Sequence, residues 1–329
     1  MPYHHLTPSE RKVIHSMQIA RYSQAEIAKA LGRSQSTVSR ELRRNGEQDG
    51  YYNPHTANVV YWRRRQRLYK RTKRDKKELM DLVKSKLKRK WSPEQIAGRL
   101  RHVKYPHTPS MWVSHETIYR YIWADKAQGG KLYVHLRRGR RKYGKRGTGP
   151  HPNTHIKGRV SIEARPDVVN QRARSGDWEG DTFYGRHRKG CLCTLVERES
   201  GFLASSTMPD AKAHSLNQAV LESLNDVPKD LVHTLTVDNG KEFARFKHLE
   251  QALCMRVYFA HPYSAWERAI NENTNGLLRQ YFPRKTDLRE LTQQQLQEAV
   301  RCLNNRPRKR LRYRTPREVL TQFILALDT

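Results

Sequence analysis

Carboxylates at three places in the sequence have the type and spacing of a divalent-cation site. Asp238 follows the apolar run Leu235-Thr236-Val237 and precedes Asn239 and Gly240, as at the end of a strand. Glu272 comes after thirty-three intervening residues, enough for a helix, a strand and a turn that bring the chain back to the same sheet edge. Upstream, Asp181 lies in the strand-like segment Asp177-Trp178-Glu179-Gly180-Asp181; Asp177 and Glu179 have its strand parity, so spacing alone leaves the choice among them open. Hard oxygen ligands of this kind suit Mg²⁺, which keeps part of its water and accepts phosphate oxygens as further ligands, and Mn²⁺ can substitute. Two such ions about 3.5 to 4 Å apart activate an attacking oxygen and stabilise a leaving one in an in-line displacement. Taken singly, Asp238-Asn239-Gly240 reads as a hairpin turn and an acid on a strand as a cap or ion-pair partner. Only a fold that gathers them makes a site.

The elements that would gather them are legible from about Arg174 onward. Strand-length apolar runs occur in DWEGDTFYG, CLCTLVERES and GFLASSTMP, followed by a helical AKAHSLNQAVLESL, the strand LVHTLTVD, the helix KEFARFKHLEQAL, the strand RVYFAHPY and a helix beginning near Trp266. Three strands, helix, strand, helix, strand, helix is the order of a ribonuclease H-like domain. Beyond it, Thr292-x-x-Gln295 and Thr315-x-x-Glu318 are capping boxes that open two more helices, separated by the basic NNRPRKRLRYR. His187, Cys191 and Cys193 are close enough to raise zinc, but the sequence has no second cysteine pair, and cysteines at period two are expected to face a core. All four cysteines fit reduced thiols.

The charge balance points to a partner class. Lys plus Arg number 64 against 32 Asp plus Glu, a formal +32 over 329 residues. Residues 1–160 hold 38 basic and 11 acidic residues, and 161–329 hold 26 and 21. The front half is therefore suited to grip a polyanion by counterion release, while the near-neutral back half can gather acids. No apolar run approaches the roughly 18 residues of a membrane span, and MPYHHLTPSERK lacks the apolar core of a leader, so no membrane partner and a cytoplasmic location are expected. Nucleic acid is the expected polyanion.

Helix signals at the front agree. A helix over Pro8 to Arg21 precedes one over Gln24 to Leu31 capped by Ser23; Gly32 supplies a turn, and Ser34 is expected to cap a helix reaching about Asn45. Ala28, Gly32 and Val38 have the intervals of a helix-turn-helix. That geometry presents Gln35, Ser36, Thr37, Ser39 and Arg40 to base edges and Arg43 and Arg44 to phosphates of double-stranded DNA. A second pair, WSPEQIAGRLR and SHETIYRYIW, opens at Ser92 and Ser114, with Ile118, Tyr119, Ile122 and Trp123 on one face and His115, Thr117 and Arg120 as candidate DNA contacts. Between the pairs, a cationic stretch with Tyr61, Trp62, Leu68 and Tyr69 suits backbone tracking. Near the acids, Lys241, His261, Tyr263, Trp266 and Arg268 are candidates to hold backbone or stack on a base, and one of Asn271, Asn273 and Asn275 to orient a phosphate or metal-bound water. The organisation read is multidomain, α plus α/β: a helix-turn-helix domain over 1–50, a basic helical region with the second unit over 51–136, a basic linker over 137–173, and a ribonuclease H-like mixed-sheet catalytic domain with C-terminal helices over 174–329.

GDWEGDTFYG, TLVERESGFL, LTVDNGKEFA, VYFAHPYSAWERAINENTNGLLRQYFP and LNNRPRKRLRYRTPREVL resemble successive signatures of the insertion sequence 30 family of bacterial transposases, DDE enzymes with a retroviral-integrase-like core. SQAEIAKALGRSQSTVSRELRRN and SHETIYRYIW resemble that family too, so the similarity spans nearly the whole chain. The resemblance implies that Asp181, Asp238 and Glu272 are a metal-binding catalytic triad, which selects Asp181 among the acids of DWEGD. It also implies cleavage and transfer of DNA strands with two Mg²⁺ ions. The expected partners are the element's terminal inverted repeats, target DNA and at least one further copy of the chain. Ala265 and Ala269 stand where the family often has Pro and usually has Gly; neither is a ligand, and Ala favours the helix carrying Glu272. Two other readings are a ribonuclease H-like structure-selective nuclease, against which sequence-reading units argue, and a helix-turn-helix regulator with an inactive core, which has no use for three converging acids.

Overall fold

The computed structural model describes residues 5–46, 51–68, 76–137, 156–262 and 264–327. It divides into two units, Met1–Lys76 and Lys77–Thr329. In the first, capping boxes open α1 (Pro8–Ile19) and α2 (Gln24–Leu31): the Thr7 and Ser23 hydroxyls accept from the amides of Glu10 and Glu26, whose carboxylates accept from the cap amides in return. Gly32 ends α2 at φ 61, a left-handed conformation that a side chain would strain, and leads into α3 (Gln35–Asn45). With α4 (Pro54–Leu68), these helices bury Ile14, Ile27, Ala28, Val38, Tyr52 and Ala57. The buried Arg11 guanidinium pairs with Glu41 at 2.8 Å, and that carboxylate also accepts from Tyr52 and Asn45, as a charge withdrawn from water requires. Ser34 departs from expectation. It stands at the start of α3, but its hydroxyl bonds to those of Ser36 and Thr37, at 3.0 and 2.9 Å, instead of to a helix amide.

The second unit opens with α5 (Lys77–Lys88), α6 (Pro93–Arg99, continued by a π-helical turn over Leu100–Lys104) and α7 (His115–Ala127). Leu79, Val83, Leu87, Ile96, Ile118 and Ile122 form their common core. Trp123, read on the same face as Ile118 and Ile122, is 49% exposed instead. The i, i+4 pair takes the apolar stripe, and the next residue is rotated by about 100° out of it. Gly98 permits close packing of α6, since a Cβ there would lie 2.1 Å from the Tyr313 ring.

A mixed sheet follows, built from β1 (Val160–Ser161), then after α8 (Asp167–Gln171) from β2 (Asp177–Tyr184), β3 (Cys191–Glu197) and β4 (Leu203–Met208). After α9 (Ala213–Leu224) come β5 (Thr234–Val237), α10 (Phe246–Leu253) and β6 (Arg256–Phe259). The order is β1-β6-β5-β2-β3-β4. β2, β3 and β4 are antiparallel, while β5 and β6 join β2 in parallel through helical crossovers, which is the ribonuclease H-like arrangement that the element order predicts. α11 (Ala269–Leu278), α12 (Gln293–Asn304) and α13 (Pro316–Leu327) complete the chain, and the last two start at the expected Thr292 and Thr315 caps. One face of the sheet packs Trp178, Cys193, Leu195, Leu216, Leu235 and Val257, the other Phe183, Leu192, Val196, Leu278, Leu296 and Leu303. β1 and α8 have no counterpart in the sequence reading, because elements of two and five residues are too short to generate a periodic signal. Residues 138–155 of the linker, Tyr69 and Tyr263 lie outside the described residues. Among the described residues no helix is long and apolar enough to cross a membrane.

Candidate active site

Strand register brings the first two acids together. β2 and β5 run parallel with Asp177 opposite Thr234 and Glu179 opposite Thr236. Two residues further along each strand, on the same face, stand Asp181 and Asp238. The alternate residues Trp178, Leu235 and Val237 belong to the core behind, where a Cβ on Gly180 would lie 3.1 Å from Leu235, so the glycine keeps that side flush. The Arg268 guanidinium donates to Asp238 Oδ2 at 3.1 Å and to the Gly180 carbonyl at 3.0 Å, and stands 3.5 Å from Asp181 Oδ1. Asn275 donates to Asp181 Oδ2 at 2.9 Å, and the amides of Thr182 and Gly240 fix Oδ1 of Asp181 and of Asp238. Burial pushes the Asp181 carboxyl up to about 6; Arg268 acts against this and Asp238 with it.

The other two acids of DWEGD have different surroundings. Asp177 accepts from Arg174 and from the Thr234 hydroxyl. Glu179 is buried against Arg198 at 2.6 Å and accepts the Asn271 amide. Asn271 itself is fully buried and ties α11 to β2 and β3 through the carbonyls of Glu179 and Thr194, while Asn273 is exposed; of the three asparagines around Glu272, Asn275 is the one bonded to Asp181.

Glu272 is half-buried on α11. It precedes Asn275 by three residues on that helix, the spacing of one helical stripe. Among the described residues no group of three His, Cys, Asp or Glu side chains is gathered closely enough to hold a metal ion, while Arg268 links Asp181 and Asp238. Cys191 and Cys193 point into the core; burial raises both thiols, Cys191 to about 11.

Asp181 and Asp238 open on a cleft of about 1190 Å³ whose walls include Arg188, Lys189, Lys241 and Arg289. Lys241 was expected near the acids from sequence. Arg188, Lys189 and Arg289 were not, although the run Arg186-His187-Arg188-Lys189 between two strands was a signal for a cationic hairpin tip. Trp266 is 74% exposed, and His261 is held by Glu267 at 2.8 Å, which raises its pKa. Arg268, expected on a DNA backbone, is engaged by the two carboxylates.

In the helical units, Gln35, Ser36, Ser39, Arg40, Arg43 and Arg44 are exposed on α3, with Thr37 half-buried. Arg40 folds back on Ser36, donating to its carbonyl at 2.9 Å. On α7, His115 and Arg120 are exposed, Arg120 pairs with Glu116 at 3.2 Å, and Thr117 bonds to the Ser114 cap.

A family model described as a helix-turn-helix domain matches residues 2–45. The transposase for insertion sequence element IS4351 of Bacteroides fragilis is 41% identical over 324 residues, which is 97% of this chain and 96% of that protein. The InsI transposase for insertion sequence element IS30A of Escherichia coli strain K12 is 38% identical, over 98% of this chain and 85% of its own length. The crystal structure of the catalytic core domain of BIV integrase matches 47% of this chain and 100% of its own, at 20% identity and a TM-score of 0.38. Similarity to the two transposases runs through both the helix-turn-helix and the strands carrying Asp181 and Asp238, and the chain belongs to the insertion sequence 30 family of bacterial transposases.

Proposed function

We propose that the protein binds the ends of an insertion sequence in double-stranded DNA and cleaves and transfers its strands, with Asp181, Asp238 and Glu272 holding two Mg²⁺ ions. The observation that carries this reading is the meeting of Asp181 and Asp238 across parallel strands at a cationic cleft. Two of the three acids stand together, and the chemistry of their donors suits a divalent ion. The oxygens are hard carboxylates, one cation, the Arg268 guanidinium, already lies between two of them, and the buried Asn275 Oδ1 beside Asp181 has no hydrogen-bond partner. For Glu272 the support is the family resemblance and its helical stripe with Asn275, which is bonded to Asp181.

When bound, the ions supply Lewis acidity to the reacting phosphate and lower the pKa of an attacking oxygen. The chain's own side chains do the positioning. Asn275 and the Thr182 and Gly240 amides hold the carboxylates in orientation, and Arg188, Lys189, Lys241 and Arg289 face the phosphodiester backbone in the cleft. In the first reaction a water oxygen forms a bond to phosphorus and the bond to the 3′ oxygen breaks, leaving a 3′-hydroxyl. In the second that hydroxyl attacks a target phosphodiester, one P–O bond forming as another breaks, so no external energy source is needed.

Labelled end DNA and unlabelled target incubated with the protein and Mg²⁺ test the proposal. Joined product is expected. Cutting without joining would indicate a structure-selective nuclease, and binding alone a regulator with an inactive core.

A further inference from the structure

The four oxygens of Asp181 and Asp238 divide by what they bond to. Three accept from neutral donors: Asp181 Oδ1 from the Thr182 amide at 2.9 Å, Asp181 Oδ2 from Asn275 at 2.9 Å, and Asp238 Oδ1 from the Gly240 amide at 3.0 Å. These bonds orient the carboxylates, and each leaves its oxygen a further lone pair. Asp238 Oδ2 is different, because its partner is a cation: Nη2 of Arg268 donates to it at 3.1 Å. Nη1 of the same guanidinium stands 3.5 Å from Asp181 Oδ1, beyond a good hydrogen bond, and donates instead to the Gly180 carbonyl at 3.0 Å. One guanidinium therefore serves two acids while bonded to one of them.

The contact has an electrostatic reason. Two carboxylates on one sheet face repel, and a positive group between them offsets the repulsion where water is partly excluded. Other acids near Arg268 are engaged elsewhere: Glu267 accepts from the His261 amide and bonds to its ring, Glu242 accepts from Tyr184, and Asp210 pairs with Lys212. A guanidinium nevertheless cannot replace a divalent ion in this place. It has donors only, so it cannot take a water oxygen as a ligand and acidify it. Its departure is also a local event. One hydrogen bond to Asp238 breaks, the bond to Gly180 can stay, and the side chain already lines the cleft.

We propose that Arg268 is a resident counter-cation that a divalent ion displaces from Asp238 Oδ2. Its guanidinium holds the two aspartates together in the metal-free protein, and its contact with them and their ligation of an ion exclude one another. This rests on the metal-binding part of the proposed function, for Asp181 and Asp238 alone. Arg268 is thus a positioning residue that restrains the site until an ion arrives, and it sets the affinity for that ion below what the two carboxylates by themselves would give.

The test titrates the full-length protein with Mn²⁺ in the absence of DNA, by calorimetry and by the paramagnetic resonance signal of the free ion, so that no cleavage enters the measurement. Arg268→Gln should bind Mn²⁺ on the order of tenfold more tightly than wild type, the worth of one charge-assisted hydrogen bond. Arg268→Lys, which keeps the charge but not the fork, should lie between the two. Asp238→Asn added to Arg268→Gln should remove the gain. Arg289→Gln takes away a cation of the same cleft that is paired with Asp287, and should change the affinity by less than about twofold. Equal or weaker binding by an Arg268→Gln protein that still melts cooperatively would mean that the arginine only organises the acids, and would overturn the proposal. An equal gain from Arg289→Gln would overturn it too, by reducing the effect to the field of the cleft. Should Arg268→Gln not fold, Arg268→Lys decides, and binding no tighter than wild type overturns the proposal. Absence of Mn²⁺ binding in wild type and in both Arg268 variants would overturn the metal reading of the acids instead.

Discussion

Asp177, Glu179 and Asp181 point to one face of β2, and what each meets there separates them. Glu179 and Arg198 are buried as a pair, so Glu179→Gln leaves a guanidinium without its counter-charge. It should cost on the order of 3–5 kcal/mol in urea unfolding. Asp181 is in the opposite situation: burial and Asp238 already oppose its charge. Asp181→Asn should therefore leave the urea midpoint nearly unchanged or raise it, while abolishing strand cleavage with Mg²⁺ and sparing end binding; Asp238→Asn should behave alike. Near wild-type cleavage by either variant would remove the acid from the catalytic assignment. The cysteines offer an independent check on the core. Cys254 is exposed, whereas burial raises the thiols of Cys191 and Cys193 and the fold shields them. Native alkylation followed by mass mapping should label Cys254 readily and leave Cys191 and Cys193 unmodified until the protein is denatured.

Among the elements, α3 and α6 depend on their neighbours in different ways. In α3 the cap hydroxyl of Ser34 is taken by Ser36 and Thr37, and Arg40 lies back on Ser36, so the face expected to read bases is self-bonded in the free protein. Those weak exposed contacts are the ones a purine edge would replace. Arg40→Ala should cost about 1–3 kcal/mol against the true end and relax selectivity, whereas Arg44→Ala should weaken all sequences alike and lower the salt slope by about one. Competition binding with end and scrambled duplexes measures both, and equal losses from Arg40→Ala would mean that α3 docks otherwise. α6 depends on shape: Gly98→Ala drives a methyl group into the Tyr313 ring, which itself stacks on His102, and should destabilise the second unit by roughly 1–3 kcal/mol in thermal unfolding.

At the scale of the whole molecule, the chain divides after Lys76, and the first unit has its own core from Ile14 to Ala57. Residues 1–76 alone should fold and prefer the element end over scrambled DNA, with an affinity that falls steeply as salt rises; equal binding to both at moderate salt would assign sequence reading to α6 and α7. The amino-acid sequence alone determined where most helices start, because a capping box or a turn glycine acts between consecutive residues, as at Ser23, Thr292 and Gly32. It also determined the order of the main strands, since alternation and apolar runs are local, and through family resemblance it pointed to Asp181, Asp238 and Glu272. Tertiary structure decided the rest. That Asp181 sits beside Asp238 follows from the register of β2 on β5, and that Glu179 is spent on Arg198 follows from the hairpin to β3. That Arg268 stands between the two aspartates is likewise an encounter between segments distant in sequence. No local period encodes such encounters, because the energy of a charge depends on which other charges the fold brings within a few ångströms of it.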